Sequence, residues 1–204
     1  MTLKELNIIN FKNIAEATLT FTSGFNCFVG NNGVGKTNVL DAIYHLSMCK
    51  SYFNLPDLQN IRHEEPFFVV QGKYERGGEE LTVYCGVKRG QKKVFKKNQK
   101  AYDKLSEHIG LIPLVMISPE DFILIDGGSE ERRKLVDGII SQCDRVYLHR
   151  LIRYNKALTQ RNMLLKSAAG KFLDPEMLEV WNEQLAEHLS LIHISEPTRQ
   201  EAIS

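Results

Sequence analysis

The sequence predicts an α/β fold: an α/β lobe followed by an α-helical lobe. Three observations carry this. Short apolar runs bounded by Gly, Asn and Pro fill the first half of the chain. A glycine-rich stretch, "VGNNGVGKT" over residues 29–37, stands between one such run and a helical pattern. Helical periodicity then dominates after Ser118. With 204 residues, 43% hydrophobic and 25% charged, the composition excludes a disordered or fibrous chain. The net charge of +1 says nothing about nucleic acid, so any such argument must rest on where charge is concentrated. No apolar run approaches the roughly 20 residues of a membrane helix, and the N-terminal "MTLKEL" has no signal-peptide layout. A soluble, cytoplasmic protein is expected. Cys27, Cys49, Cys85 and Cys143 are widely spaced with no metal-site or disulfide pattern, so they are expected to be reduced core thiols.

The elements follow in order. Residues 6–9, 17–21, 25–29, 67–71, 81–87 and 112–117 are expected as strands, and residues 37–48 as a helix. Ser118-Pro119-Glu120-Asp121 then supplies an N-cap, a proline at the first helical position and acid in the first turn. A second helix start stands at Ser129, followed by Glu130 and Glu131. From Tyr147 the spacing of Leu151, Tyr154, Leu158 and Leu165 is coiled-coil-like. It breaks at Gly170 and Asp174-Pro175 and resumes with Leu178, Trp181 and Leu185. With only about three heptads, two packed helices and an extended arm both fit.

Gly30, Gly35, Lys36 and Thr37 match the phosphate-loop pattern G-x-x-x-x-G-K-[ST], which a chain of this length meets by accident roughly once in a hundred times. Glycines at 30, 33 and 35 let backbone N–H groups close around phosphates where a side chain would block them. The helix beginning near Lys36 turns its positive end to the same anion. Lys36 is expected on the β- and γ-phosphates of a nucleotide and Thr37 on Mg²⁺, with Asn31, Asn32, Val34 and Asn38 lining the same site; the loop alone does not choose among kinases, GTPases and ATPases.

The neighbours of the loop resemble one family. Asn10-Phe11-Lys12-Asn13, then "NCFVGNNGVGKTNVLDAI", and farther on "IPLVMISPEDFILIDGGSEERRKLVD" and "YNKALTQRNMLL" resemble the RecF family of DNA-repair ATPases related to SMC heads, in order over residues 1 to about 188. The resemblance implies an ABC-type ATPase head: a mixed α/β core carrying the loop, a flanking antiparallel sheet and a helical second lobe. It divides the chain into an ATP-binding lobe, 1–118, and an incomplete helical lobe, 119–188. It also implies Lys12 and Asn13 near the nucleotide, although Asn13 could equally make a turn between strands, and it matches Arg132 and Arg133 to paired arginines at the start of the helical lobe. The implied function is binding of ATP and of single-stranded and gapped duplex DNA, aiding recombinase loading, with RecO and RecR as partners and an ATP-dependent homodimer.

Hydrolysis in such a head needs an acidic pair after an apolar strand and a Ser-Gly-Gly signature. The nearest imitations, Glu120-Asp121 and Asp126 before Gly127-Gly128, sit in helical patterns. The resemblance places both missing elements farther along the family's sequence, so ATP binding without turnover is expected and no catalytic residue is assigned.

Residues 88–100 hold Lys88, Arg89, Lys92, Lys93, Lys96, Lys97 and Lys100 and no acid, with Val94-Phe95 between the basic pairs. A basic hairpin at a sheet edge is expected, either neutralising DNA phosphates or simply keeping an edge strand soluble. A metabolic phosphate-loop kinase remains an alternative function, as does an inactive fragment. Residues 189–199, "LSLIHISEPTR", resemble the translation of a transposase sequencing-library adaptor. Residues 189–204 are therefore expected to be a non-native tail interrupting an amphipathic helix.

Overall fold

The computed structural model describes residues 1–168 and 175–195. The chain divides into two compact units, Met1–Ile117 and a second beginning at Ser118. The first contains β1 (Thr2–Phe11), β2 (Ile14–Thr20), α1 (Lys36–Met48), β3 (Phe67–Arg76), β4 (Glu79–Lys88), β5 (Val94–Lys97) and β6 (Lys100–Ala101). The six strands form one sheet in the order β2-β1-β3-β4-β5-β6, antiparallel at every pairing.

Alternation of side chains makes one face of this sheet apolar. Leu6 and Ile8 on β1, Phe68 and Val70 on β3, and Leu81, Val83, Cys85 and Val87 on β4 are all buried. The helical spacing of Val39, Ala42 and Leu46 brings α1 onto that face. Gly72 permits the close approach, because a Cβ there would stand 2.9 Å from Leu46 Cδ1 and 2.7 Å from the Tyr74 ring. Complete burial of side chains of this size stabilises the fold by about 1.5–3 kcal/mol each, so the α1–sheet layer is the main hydrophobic support of this unit.

Two expected strands do not form. Residues 25–29 and 112–117 run without a ladder partner among the described residues. Phe25 and Val29 are 101% and 92% exposed, and Val115 and Ile117 are 64% and 82% exposed. An apolar run becomes a strand only where a neighbour takes its N–H and C=O groups, and the run itself does not encode that neighbour. The described sheet is accordingly antiparallel throughout, with the helix of the loop packed on it. The cysteine expectation also needs correction: Cys49 and Cys85 are buried, but Cys27 and Cys143 are exposed.

The second unit holds a 3-10 turn at Pro119–Phe122, then α2 (Ile123–Asp126), α3 (Ser129–Cys143), α4 (Arg145–Ser167) and α5 (Pro175–Ser195). Ser118 and Asp121 form a reciprocal capping box, so this acid begins a helical segment. Arg132 donates to the carbonyls of Leu124 and Gly127 at 3.2 and 3.0 Å, closing the end of α2, while Arg133 is exposed. The start of α4 is set by Asp144, whose carboxylate accepts from Val146 N and Tyr147 N at 2.7 and 3.1 Å. Helices α4 and α5 pack together, with Arg161 Nε donating to Asn182 Oδ1 at 2.8 Å. Gly170 and Asp174, the expected break, lie outside the described residues, and Pro175 opens α5. That helix continues through Ser195 with Ile192 buried. The tail pattern from Leu189 therefore does not interrupt the helix up to Ser195; residues 196–204 lie outside the described residues.

Candidate nucleotide site

The loop runs from the end of segment 25–29 to the start of α1 at Lys36. Helix α1 is capped by Gly35 in the left-handed region (φ 104°), without a side-chain cap and without acid in its first turn. The free N–H groups of that first turn have no internal partner and carry the positive end of the helix dipole. A Cβ on Gly35 would stand 2.9 Å from Asn13 Oδ1, so both backbone conformation and space favour glycine there.

Lys36 turns back over the loop: its ammonium donates to Gly30 O and Asn31 O, each at 2.8 Å. The one cation of the motif is thus held at the centre of the loop by carbonyls, which an anionic phosphate would outcompete as an acceptor. Asn31, Asn32, Gly33 and Val34 are exposed, as is the Thr37 side chain at the mouth of the helix.

Asn13 does more than turn the chain between β1 and β2. Its Nδ2 donates to Gly33 O at 2.7 Å, and its Oδ1 accepts from Asn38 Nδ2 at 2.7 Å. One side chain therefore ties the β1–β2 turn to the middle of the loop and to the first turn of α1. Lys12, its neighbour, sits at φ 53° and pairs with Asp41 of α1 at 2.6 Å, with side-chain exposures of 12% and 0%. Its ammonium also lies over the Phe53 ring, 4.5 Å from the centroid. Ser51 Oγ and Tyr52 N complete the Asp41 carboxylate at 2.8 and 2.7 Å. Asp41 was not anticipated from sequence. The available signal was a carboxylate beside the buried positions Val39 and Ala42 of a helix, which must be paired to be buried.

The basic stretch 88–100 resolves into two populations. β5 and β6 form a hairpin at the sheet edge, with Lys97 and Lys100 exposed on it, while Lys88 at the end of β4 and Arg89 and Lys92 in the connection to β5 are exposed beside it. Lys96 is partly covered, its ammonium 5.5 Å from the centre of the Tyr84 ring. Lys93 instead turns inward, pairing with Asp57 at 2.8 Å and donating to Cys49 O at 2.6 Å. Burial pushes the Asp57 carboxyl up, but hydrogen bonding from His45 and Lys93 and the Lys93 charge outweigh it and hold the group below its ordinary value. His45 completes this cluster, its Nε2 3.3 Å from Asp57 Oδ1, and its ring lies against Phe11, Phe68 and Phe95. Lys93 thus holds the hairpin to α1 and to the segment that follows it.

Among the described residues no helix is long and apolar enough to cross a membrane. The family model described as "AAA ATPase domain" matches residues 1–162. The DNA replication and repair protein RecF of Phocaeicola vulgatus is 58% identical over 187 residues, covering 91% of this chain and 50% of that protein. The RecF protein of Flavobacterium johnsoniae is 54% identical over 188 residues, covering 92% and 52%. The chain therefore spans about half the length of the curated relatives it matches. A solved structure described as the recombination mediator protein RecF-ATPrS in the RecFOR pathway superposes with a TM-score of 0.87 at 35% identity, covering 94% of this chain and 52% of that one. An SMC ATPase structure shares the fold with a TM-score of 0.53 at 21% identity, covering 68% and 99%.

Proposed function

This chain belongs to the AAA ATPase domain family and is homologous to RecF, and we propose that it binds ATP on the loop 30–37 as part of a RecF-like DNA repair protein. The observation that carries the proposal is the cradle itself. Lys36 is centred on the loop at the open N-terminus of α1, and Asn13 braces the loop from the adjoining turn. The solved relatives described as RecF-ATP and RecF-ATPrS support the choice of ATP. Thr37, exposed beside Lys36, is a hard oxygen donor that fits a magnesium ion carried in with the phosphates. The ion supplies neutralisation of phosphate charge when bound.

Thermal unfolding tests this directly. Saturating Mg-ATP at a hundred times its dissociation constant adds roughly 2.7 kcal/mol, which raises the midpoint of a chain this size by roughly 5–10 °C. The shift is expected to vanish in Lys36→Ala. An equal shift in that variant, or none in the parent chain, overturns the reading.

The wider function proposed is binding to gapped and single-stranded DNA in support of recombinase loading, with RecO- and RecR-type mediators as partners and ATP favouring a homodimer. On this chain the exposed Lys88, Arg89 and Lys92 around the β4–β5 connection and Lys97 and Lys100 on the hairpin are the groups for the DNA backbone, and Lys93 is structural. Replacing Lys92, Lys97 and Lys100 by Gln is expected to lower the salt dependence of DNA binding by about 0.9 for each phosphate that is no longer neutralised. An unchanged slope clears the hairpin of that role.

A further inference from the structure

Helix α4 carries charge that the site above does not use. Its 23 residues include Arg145, Arg150, Arg153, Lys156, Arg161 and Lys166 and contain no Asp or Glu. The chain has 25 acids in 204 residues, a rate that would place about three in such a stretch; an ordinary solvated face mixes both signs. At 3.6 residues per turn, Arg145, His149, Arg153 and Lys156 fall within one arc of about 80°, and all four are exposed. Tyr147, Leu148 and Ala157, the buried residues of the helix, lie outside that arc. Val146, His149, Arg150 and Arg153 also line a shallow depression of about 220 Å³.

Internal neutralisation is the competing explanation, because α5 is acidic, with Glu176, Glu179, Glu183 and Glu187 and no Lys or Arg. Among the described residues, however, none of Arg145, His149, Arg153 and Lys156 takes part in an ion pair. The cross-helix bond of Arg161 runs to Asn182, a neutral partner, and Lys134 pairs with Glu130 and Glu131 within α3.

We propose that the Arg145–His149–Arg153–Lys156 stripe of α4 is a second nucleic-acid contact, gripping the phosphate backbone independently of the β5–β6 hairpin. The stripe is a rigid rod about 16 Å long with a charge at nearly every turn, and a nucleic-acid strand presents phosphates at a regular rise of about 3.4 Å. Such a surface reads no base and gives salt-sensitive, sequence-independent affinity. The inference rests on the DNA-binding reading above but concerns different residues.

The test is fluorescence anisotropy of the 204-residue chain with a labelled duplex of about 30 base pairs, titrated from about 50 to 200 mM salt. Three proteins are compared: the parent, Arg145→Gln/Arg153→Gln/Lys156→Gln, and the hairpin variant Lys92→Gln/Lys97→Gln/Lys100→Gln. The α4 variant is expected to bind roughly tenfold or more weakly at about 100 mM salt, with a slope reduced by about two to three. A charge-keeping control, Arg145→Lys/Arg153→Lys, is expected to retain parent affinity, which separates charge loss from misfolding. An α4 variant with the parent's slope overturns this proposal while leaving the hairpin reading intact. Loss in the α4 variant but not in the hairpin variant supports the stripe and removes the hairpin. No binding by the parent overturns both. Competition by polyglutamate as effective as by unlabelled duplex overturns the assignment to nucleic acid in favour of an acidic protein partner.

Discussion

Lys12 and Asp41 are the pair of the first unit most sensitive to substitution, because both charges are withdrawn from water and each satisfies the other. The carboxylate is fully enclosed and takes three partners, Lys12, Ser51 and Tyr52. Asp41→Leu leaves an ammonium without its counter-charge, and Lys12→Met leaves a buried anion. Either change is expected to cost about 3–5 kcal/mol, whereas Lys12→Met/Asp41→Leu recovers part of the loss, since an apolar pair needs no desolvation while Ser51 Oγ and Tyr52 N lose their acceptor. Chemical denaturation of the four proteins closes the cycle, and single variants as stable as the parent would refute the pairing energy. A further loss of ATP-induced stabilisation in the double variant would mark Lys12 as a phosphate ligand as well. His108 offers a pH-dependent counterpart. It is buried, its Nε2 2.6 Å from Leu46 O and its Nδ1 3.2 Å from Tyr102 Oη. Burial drives its pKa below the ordinary histidine value; the Leu46 bond opposes this, and the Lys97 charge adds to it. The unfolded chain therefore takes up a proton near pH 6.5 that the folded chain resists. Stability from this group is complete above that pH and falls on acidification toward the lower folded value, by at most about 1.4 kcal/mol per pH unit. His108→Gln, which keeps a donor for Leu46 O without a titrating ring, is expected to flatten the fall of stability below about pH 6.5. An unaltered pH profile would assign the slope to other groups.

At the scale of elements, the sequence was informative wherever a segment's partner is close along the chain or its chemistry is local. The glycine-rich loop, the α1 spacing and the strands β1, β3 and β4 follow from periods of about 2 and 3.6 that need no knowledge of neighbours. The Ser118–Asp121 box was legible for the same reason. What escaped was long-range pairing. The runs at 25–29 and 112–117 carry strand composition, yet without adjacent strands they form no ladder and leave Phe25, Val29, Val115 and Ile117 exposed. Asp144 was missed as a cap because its signal, a single acid before Arg145, is weaker than the Ser-Pro-Glu-Asp start. Within the site, Lys36 and Thr37 were readable from the motif. The bracing by Asn13 and the burial of Asp41 were not, because each depends on a residue far along the chain, Gly33, Asn38 or Lys12. The basic stretch 88–100 shows the same limit: composition alone cannot tell Lys93, folded onto Asp57, from Lys92 beside it.

For the whole molecule, the consequence of the apolar side chains exposed along those segments is a surface that should not stay solitary. Phe25, Val29, Val115 and Ile117 are large apolar side chains left in water on backbone that belongs to no strand ladder among the described residues. Scattered apolar residues on a surface are ordinary, but apolar side chains grouped along an extended run mark a place where another chain docks or aggregation starts. The 204-residue chain is therefore expected to bind an environment-sensitive apolar dye in its native state and to associate reversibly as concentration rises. Replacing Phe25, Val29, Val115 and Ile117 by Ser or Thr should reduce both effects while leaving the thermal midpoint nearly unchanged, because none of the four contributes to the core around α1 and the sheet. Native-state dye fluorescence and sedimentation velocity across a tenfold concentration range measure this. A parent chain that remains monomeric and dye-free across that range would show that these segments are covered in solution.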